Sequence, residues 1–322
     1  MTYLLTSLFL TVCLIFLPHV MSGPYYIHVF ILTMMNIILT CSLRLISLSG
    51  QISLAHGGMM TIGAYTSALL VMKLGLSTWN AMIIAGLFVA FIACLTGFPF
   101  MRLKGIYFSI VTVFFSEMVV LITQQWESLT GGSSGIYNIP APNPVVISGL
   151  FNIDFLEKIH FYYFALFLMI ISLVILYAVE KSRIGFTLKA IKQADSLSES
   201  VGINTVGFKV LAYSVGCFFA GIVGAFYSHY ISAMCPDTFG FFYTINILVY
   251  MVVGGIGTFL GPILGAFVLT ILPEITRVLK QFMPFIFAAV LIAVIFFLPE
   301  GIAGLTSRFA AFIKKHIRIN NA

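Results

Sequence analysis

Ten apolar runs, each close to the length that spans a lipid bilayer, follow one another along this 322-residue chain. A transmembrane α-helix needs about 20 consecutive apolar residues. Runs of this length and number predict an all-α polytopic membrane protein with about 8–10 transmembrane helices, one or two of them broken or re-entrant. The runs cover residues 3–18, 26–43, 56–72, 80–100, 105–124, 159–180, 209–232, 241–257, 262–279 and 283–298.

Composition supports this class and gives no sign of an enzyme. The chain is 61% hydrophobic and 8% charged, whereas soluble domains carry about 25% charged residues. The five cysteines have no metal-ligand spacing, and no catalytic constellation is visible. We therefore expect one transmembrane domain over residues 1–322, with no catalytic residue, metal or cofactor. We attribute the net charge of +6 to cytoplasmic loops and not to nucleic-acid binding.

Basic residues indicate the orientation of the helices, because Lys and Arg concentrate in cytoplasmic loops. If both termini are cytoplasmic, twelve basic residues face inside and four face outside. This count predicts a multi-pass membrane protein with both termini in the cytoplasm and its first apolar run retained. The inside set is Arg44, Arg102, Lys104, Lys181, Arg183, Lys189, Lys192, Lys209, Arg308, Lys314, Lys315 and Arg318, and the outside set is Lys73, Lys158, Arg277 and Lys280.

A polar stretch between the fifth and sixth runs is predicted to lie outside the cell. Residues 125–158 contain TGGSSGIYNIPAPNP, whose glycines and prolines do not continue a spanning helix. A plain linker would fit, but the stretch is long for a structureless connection. We therefore favour an external lid or docking surface.

Polar residues and glycines interrupt the apolar stretch around residues 48–65, LSGQISLAHGGMMTIGAY. Backbone groups freed at membrane depth require buried protein or a wet cavity to satisfy them, and broken helices often line transport paths. Two interpretations remain open for 50–58: a cytoplasmic turn, or a break inside the membrane. Under the second interpretation, Gln51, Ser53, His56 and Gly57 are candidates for the translocation path.

Glu117 is the acidic residue that lies deepest inside an apolar run. An acidic side chain at a helix centre costs about 2.5–3.5 kcal/mol on insertion scales. Glu117 is therefore a further candidate for the path, where it could also pair with His56 or carry protons. A proton-carrying Glu117 would suit a different class of protein, an ion-coupled secondary transporter.

A short similarity between the two halves hints at an internal repeat. Gly63-Ala64-Tyr65 and Gly265-Ala266-Phe267 lie 202 residues apart, and the second follows another glycine-rich stretch. Duplicated halves are common in transporters, so a two-half repeat is a possibility that three matching residues leave open.

The longest polar stretch, residues 181–208, is predicted to be a cytoplasmic helix–loop. Leu188, Ile191, Leu197 and Val201 follow one another at spacings of three, six and four residues and could form one apolar helix edge. Such an edge can lie in the groove of a partner protein. It could equally lie on the membrane surface without a partner, and the residues alone leave both open.

Six blocks of sequence, in order, resemble the permease subunits of bacterial branched-chain amino-acid ABC importers. The TGG-x-x-GI block and the final LP-x-G-x-x-GL block are similar to the LivM-type subunit, as distinct from its LivH-type partner. The blocks are LSGQISLAHGGMMTIGAY (48–65), RLKGIYFSIVT (102–112), TGGSSGI (130–136), SRIGFTLKAIKQADSLSESVGI (182–203), VGGIGTFLGPILGA (253–266) and LPEGIAGL (298–305).

The resemblance implies a set of partners and a role for residues 181–208. The implied location is the bacterial inner (plasma) membrane, and the expected partners are membrane lipid, a LivH-type permease, two cytoplasmic ATPase subunits and an extracytoplasmic substrate-binding protein. The chain has no G-x-x-x-x-G-K-[ST] phosphate loop, so ATP hydrolysis is expected in separate chains. Matching the family's coupling segment are Arg183, Gly185, Leu188, Ala190, Ile191, Lys192 and Gly202.

The substrate implied by the resemblance is a branched-chain amino acid. LivM-like subunits also occur in importers of urea and short amides, so these substrates are an alternative.

Overall fold

The computed structural model describes residues 23–147, 151–155 and 157–275, together with positions 18, 282, 285, 288–289, 291–292, 296 and 301–304. The predicted runs at 3–18 and 283–298 lie largely outside the described residues. So do six of the basic residues counted above: Arg277, Lys280, Arg308, Lys314, Lys315 and Arg318. Within the described part the chain is almost entirely helical.

Eleven α-helices occur in the described ranges, and they follow the predicted runs closely. Six segments are long and apolar enough to cross a membrane: Pro24–Ser47, Thr78–Phe100, Ile106–Gln125, Lys158–Lys181, Thr205–Ile231 and Pro236–Gly254. The all-α polytopic prediction is confirmed. In chain order the helices are α1 (Pro24–Ser47), α2 (His56–Leu74), α3 (Thr78–Phe100), α4 (Ile106–Gln125), α5 (Glu127–Thr130), α6 (Lys158–Lys181), α7 (Arg183–Gln193), α8 (Asp195–Ser200), α9 (Thr205–Ile231), α10 (Phe241–Gly254) and α11 (Leu260–Ile275).

Helix α1 forms the centre of the bundle. It is apolar on nearly every side and almost wholly buried, as expected of a helix surrounded by other helices. It packs on α6, α9, α10 and α11, while α9 also packs on α2 and α3. Small residues permit the closest of these contacts, since a Cβ at Gly63 would overlap the backbone of Gly221.

The predicted external stretch is built from short elements packed on the bundle. It contains α5, a 3₁₀ turn at Gly132–Ser134, strand β1 (Ile136–Tyr137) and a hairpin of β2 (Val145–Ile147) with β3 (Phe151–Ile153). Strand β1 pairs antiparallel with β4 (Ala233–Met234), and the Nδ1 atom of His229 lies 2.7 Å from the carbonyl oxygen of Pro140. The stretch is therefore docked on the helix ends and is not a free linker.

Three helices turn apolar stripes outward from the bundle. Those of α3 and α6 carry only apolar and aromatic side chains over their central turns, and α4 carries a similar row with Glu117 beside it. The most exposed members are Ile83, Ile84, Leu87, Phe88, Phe91, Leu95 and Phe98 on α3, Ile106, Tyr107, Ile110, Phe114, Met118, Leu121 and Ile122 on α4, and Phe167, Ile171, Val174, Ile175 and Tyr177 on α6.

Candidate functional site

The interruption between α1 and α2 is a re-entrant extended segment. Helix α1 ends at Ser47, residues 51–55 have no regular structure, and α2 begins at His56. Side-chain hydroxyls of α4 bind this segment in chain order: Ser109 donates to the Ile52 carbonyl (2.7 Å), and the Leu54 N–H donates to Thr112 Oγ1 (3.0 Å). Farther along, the Gly58 N–H donates to Ser116 Oγ at 2.8 Å.

These contacts choose between the two interpretations of residues 50–58. Ser109 and Thr112, which bind the break itself, lie three residues apart, about 4.5 Å along α4, and Ser116 binds the first turn of α2. The chain between α1 and α2 therefore runs along the first turns of α4, which favours a re-entrant break over a free surface turn. Hydroxyl groups of α4 accept the Leu54 and Gly58 N–H groups, as backbone shielded from water requires.

The polar residues predicted at this break are packed inside the protein. Gln51 donates from Nε2 to the Leu103 carbonyl at 3.1 Å, and His56 Nε2 lies 3.1 Å from Ser42 Oγ. Ser53 is buried, and its Oγ accepts the Ala55 N–H at 3.2 Å.

In the first turn of α2, the N–H groups of Gly57 and Gly58 both have hydrogen-bond acceptors. The Gly57 N–H donates to Thr244 Oγ1 at 3.0 Å, and a Cβ at Gly57 would overlap the Phe239 carbonyl oxygen. With the Gly58 N–H bound to Ser116, both glycine N–H groups of this helix start are occupied, while His56 Nδ1 and Gln51 Oε1 are buried without a hydrogen-bond partner among the described residues. Gln51, Ser53, His56 and Gly57 therefore hold the break in place in this structure.

Glu117 lies on a different side of α4. It does not pair with His56, whose Nε2 atom faces Ser42, and its own Oε1 atom has no hydrogen-bond partner among the described residues. Glu117 lies within the exposed apolar row of α4, in a shallow surface depression formed by this one helix and lined also by Phe114, Met118, Leu121, Ile122 and Gln125. Of the predicted path residues, Glu117 therefore lies on the outward side of α4, whereas the other four are buried at the break between α1 and α2.

The predicted coupling segment folds as two helices, α7 and α8, joined at Ala194. Ser182 caps α7 by accepting the Ile184 N–H at 3.2 Å. Gly185 packs against the end of α6, where a Cβ would overlap the Glu180 carbonyl oxygen. This close approach sets the sharp corner between α6 and α7.

The prediction of a single apolar edge is wrong. Leu188 and Ile191 are 0% and 2% exposed because they pack inward on the bundle. Leu197 and Val201 are 64% and 70% exposed, since the break at Ala194 turns α8 away from the direction of α7. The remaining predicted coupling residues divide in the same way: Gly185 is buried, whereas Arg183, Ala190, Lys192 and Gly202 are exposed.

A buried ion cluster centred on Glu180 anchors α7. Arg44, at the end of α1, donates to both carboxylate oxygens of Glu180, with 3.1 Å between Nη2 and Oε1. Lys189 of α7 donates to Glu180 Oε1 at 2.9 Å. Arg44 also donates from Nε to the Ile256 carbonyl at 3.0 Å, in the loop between α10 and α11.

A second, more exposed cluster centred on Asp195 anchors α8. Lys209 of α9 donates to both carboxylate oxygens at 2.9 Å, and Lys104 of the α3–α4 loop lies 3.2 Å away. Partial burial alone would raise the pKa of Asp195, but the hydrogen bonds and charges of Lys209 and Lys104 outweigh it and lower that pKa. Asp195 therefore remains ionised at neutral pH.

Sequence reasoning missed both clusters, because their members are far apart along the chain. Arg44 and Glu180 are separated by 136 residues. The available signal was an acid placed at the end of a spanning helix, Glu180, where it would be costly without a cation. That signal does not indicate which cation.

Comparisons with known proteins agree with this architecture. Residues 25–299 match the family described as "Branched-chain amino acid transport system / permease component". The chain is 30% identical over 293 residues to the "High-affinity branched-chain amino acid transport system permease protein LivM" of Escherichia coli K12, covering 85% of this chain and 69% of that protein.

Two further relatives place it within the family. The LivM protein of Salmonella typhimurium LT2 is 29% identical over 293 residues, with the same coverage. The LivH protein of Escherichia coli K12 is 23% identical over 274 residues, covering 79% of this chain and 86% of that protein. No solved structure matches the chain. The chain belongs to the family of branched-chain amino acid transport permeases and is of the LivM type.

Proposed function

We propose that this chain is one permease subunit of an ATP-driven importer that carries branched-chain amino acids into a bacterial cell. Its partners are a LivH-type permease, two cytoplasmic ATPase subunits and an extracytoplasmic binding protein. The observation that carries the proposal is the α7–α8 segment, which displays apolar side chains outside the spanning helices while ion clusters hold it to the bundle. The same segment is basic, which supports cytoplasmic termini.

We place the docking surface on six of the exposed side chains of α7, α8 and the turn after α8; Gly202, in the same turn, contributes no side chain to it. The six are Arg183, Phe186, Ala190, Lys192, Leu197 and Val201. Phe186 is 63% exposed and supplies an aromatic anchor at one end. Leu197 and Val201 supply the apolar other end, and the basic residues orient the partner. Leu188 and Ile191 support this surface from below.

An acidic substitution on the docking surface tests the proposal. Leu197→Asp should weaken copurification of the ATPase subunits at least about tenfold, because it places a charge where an apolar side chain is to be buried. Ser196→Asp adds the same charge at the neighbouring exposed position and should leave copurification near that of the parent protein. Equal binding of the ATPases by both variants would place the docking site elsewhere.

The translocation path runs along the outward stripe of α4, in this proposal. The stripes of α3 and α6 suit contact with lipid because their central turns are apolar and aromatic. Glu117 makes lipid contact costly for α4, so this stripe faces the second permease across a hydrated path. Gln51, Ser53, His56 and Gly57 hold the shape of the break. The break and the start of α2 are tied to the α4 hydroxyls by the N–H groups of Leu54 and Gly58.

Site-directed crosslinking tests the assignment of the stripes. Cysteines at Phe114 and Met118 on α4 should form crosslinks to the LivH-type permease in membranes of the assembled importer. A cysteine at Phe91 on α3, equally apolar and exposed, should react with a lipid-phase label and form none. Crosslinks from Phe91 but not from α4 would reverse the assignment.

Uptake assays separate the remaining alternatives. The proposal predicts ATP-dependent uptake of leucine, isoleucine or valine by the reconstituted importer. Selective uptake of urea would reassign the substrate class. Uptake that needs no ATP and stops when the proton gradient is collapsed would favour the ion-coupled transporter with Glu117 as its proton carrier.

A further inference from the structure

Arg44 links the end of α1 to two parts of the fold that are distant in sequence, the end of α6 and the loop between α10 and α11. It ends the central helix α1 and is buried, at 3% exposure. Its guanidinium group donates to both oxygens of Glu180 at the end of α6, and its Nε atom donates to the Ile256 carbonyl at 3.0 Å. Glu180 in turn accepts a hydrogen bond from Lys189 of α7 at 2.9 Å.

The α10–α11 hairpin, which holds Ile256, is a tightly packed unit. A Cβ at Gly254 would overlap the Gly261 backbone, and a Cβ at Gly265 would overlap the Tyr250 carbonyl oxygen. Two helices in backbone contact of this kind have little freedom to slide independently. A force applied at Ile256 would therefore move the hairpin as one body.

The two units that Arg44 joins are the α7–α8 docking segment and the α10–α11 hairpin. They pack on different neighbouring helices. The docking helices α7 and α8 pack on α6 and α9, whereas the hairpin packs on α1. The guanidinium fork of Arg44 contacts Glu180 on the docking side and Ile256 on the hairpin side. Its Cζ atom also lies 5.8 Å from the ring centroid of Phe259 in the hairpin loop.

We propose that Arg44 is a positioning residue that transmits movement of the α7–α8 docking segment to the α10–α11 hairpin. The inference rests on the proposed function, since it requires ATPases that move α7. Lys189 and Glu180 carry the movement inward, and the Nε–H bond carries it to Ile256. A planar fork with several donors suits this task, because a Lys ammonium on a flexible stem cannot hold both partners in fixed geometry.

The test uses the complete importer reconstituted in liposomes, with ATP hydrolysis and leucine uptake measured on the same preparation. Arg44→Lys keeps the charge beside Glu180 and loses the fork. We expect ATP hydrolysis within about twofold of the parent and leucine uptake per ATP reduced roughly tenfold, a typical size for coupling between sites. Parent-like uptake per ATP in Arg44→Lys would overturn the proposal.

A charge exchange separates transmission from stability. In the double variant Arg44→Glu with Glu180→Arg, an ion pair can form again, but residue 44 has no donor for the Ile256 carbonyl. We expect the complex to assemble and uptake per ATP to stay low. Full recovery of uptake would show that the ion pair alone is needed, which contradicts the proposal.

A third variant tests the proposed route while leaving the buried Arg44–Glu180 pair, and with it the assembly of the complex, intact. Lys189→Gln removes the docking-side charge at a partly exposed position and leaves the Arg44–Glu180 pair in place. Reduced uptake per ATP is expected, and unchanged uptake per ATP would overturn the proposed route. Absence of ATP-driven uptake in the parent importer would contradict the proposed function itself, and is distinguishable from all of these results.

Discussion

Gly185→Ala should abolish stable binding of the ATPase subunits and reduce ATP-driven uptake to background. The added Cβ would overlap the carbonyl oxygen of Glu180, and its three nearest neighbours are all backbone atoms of Glu180, so no flexible side chain can move aside. Forced overpacking of this kind costs about 1–3 kcal/mol or more. The corner between α6 and α7 must open to accommodate it, which displaces the whole docking surface.

Gly202→Ala provides the matched control within the same segment. A Cβ at Gly202 meets open space, and only its left-handed backbone, with φ of 84°, disfavours alanine. That conformation costs about 1–2 kcal/mol at one loop residue, so ATPase copurification should persist. Copurification measured on both variants, with membrane insertion checked by protease protection, decides the point. Normal copurification of Gly185→Ala would mean that the α6–α7 corner does not position the docking surface.

Glu180→Ala should destabilise the protein by about 3–5 kcal/mol, because it leaves Arg44 buried without its carboxylate. The cost includes Lys189, which loses its acceptor as well. Thermal unfolding of the purified chain in detergent, followed by near-ultraviolet circular dichroism, measures the effect.

Lys104→Ala removes an ion pair from the other cluster and serves as the comparison. The Lys104 side chain is 70% exposed and Asp195 keeps Lys209 as a partner. An exposed pair contributes about 0–1 kcal/mol, so this variant should unfold close to the parent temperature. Equal destabilisation by the two substitutions would mean that burial of the Arg44–Glu180 pair is not what gives it its strength.

The spanning helices were predictable from the sequence because each fills a bilayer with apolar residues. The run at 80–100 became Thr78–Phe100, and the run at 159–180 became Lys158–Lys181. Hydrophobic length alone carries this information. Hydrophobic length does not indicate which helix lies at the centre of the bundle. The sequences of α1 and α3 are similarly long and apolar, although α1 is far more buried.

Side-chain direction in the docking segment was not predictable from spacing. Leu188 and Leu197 look equivalent as apolar residues on a polar helix, yet one packs inward and the other points to solvent. The difference comes from the break at Ala194 and from Asp195, whose partners Lys104 and Lys209 turn α8. Long-range ion pairs of this kind have no local sequence signature.

The sequence predicted where the break at residues 50–58 lies, but not the path that the backbone follows through it. Glycines and polar residues marked the interruption, while its depth depended on hydroxyl groups of α4 such as Thr112 and Ser116. Those serines and threonines are ordinary residues in an apolar helix and become informative only beside the extended segment.

The most direct measurement of the central claim is leucine uptake by proteoliposomes containing this chain, the LivH-type permease and the ATPase subunits, with binding protein added outside. The account predicts uptake that requires ATP in the ATPase compartment, persists when an uncoupler removes the proton gradient, and disappears with Leu197→Asp but not with Ser196→Asp. Uptake that continues without ATP and collapses with the uncoupler would contradict it.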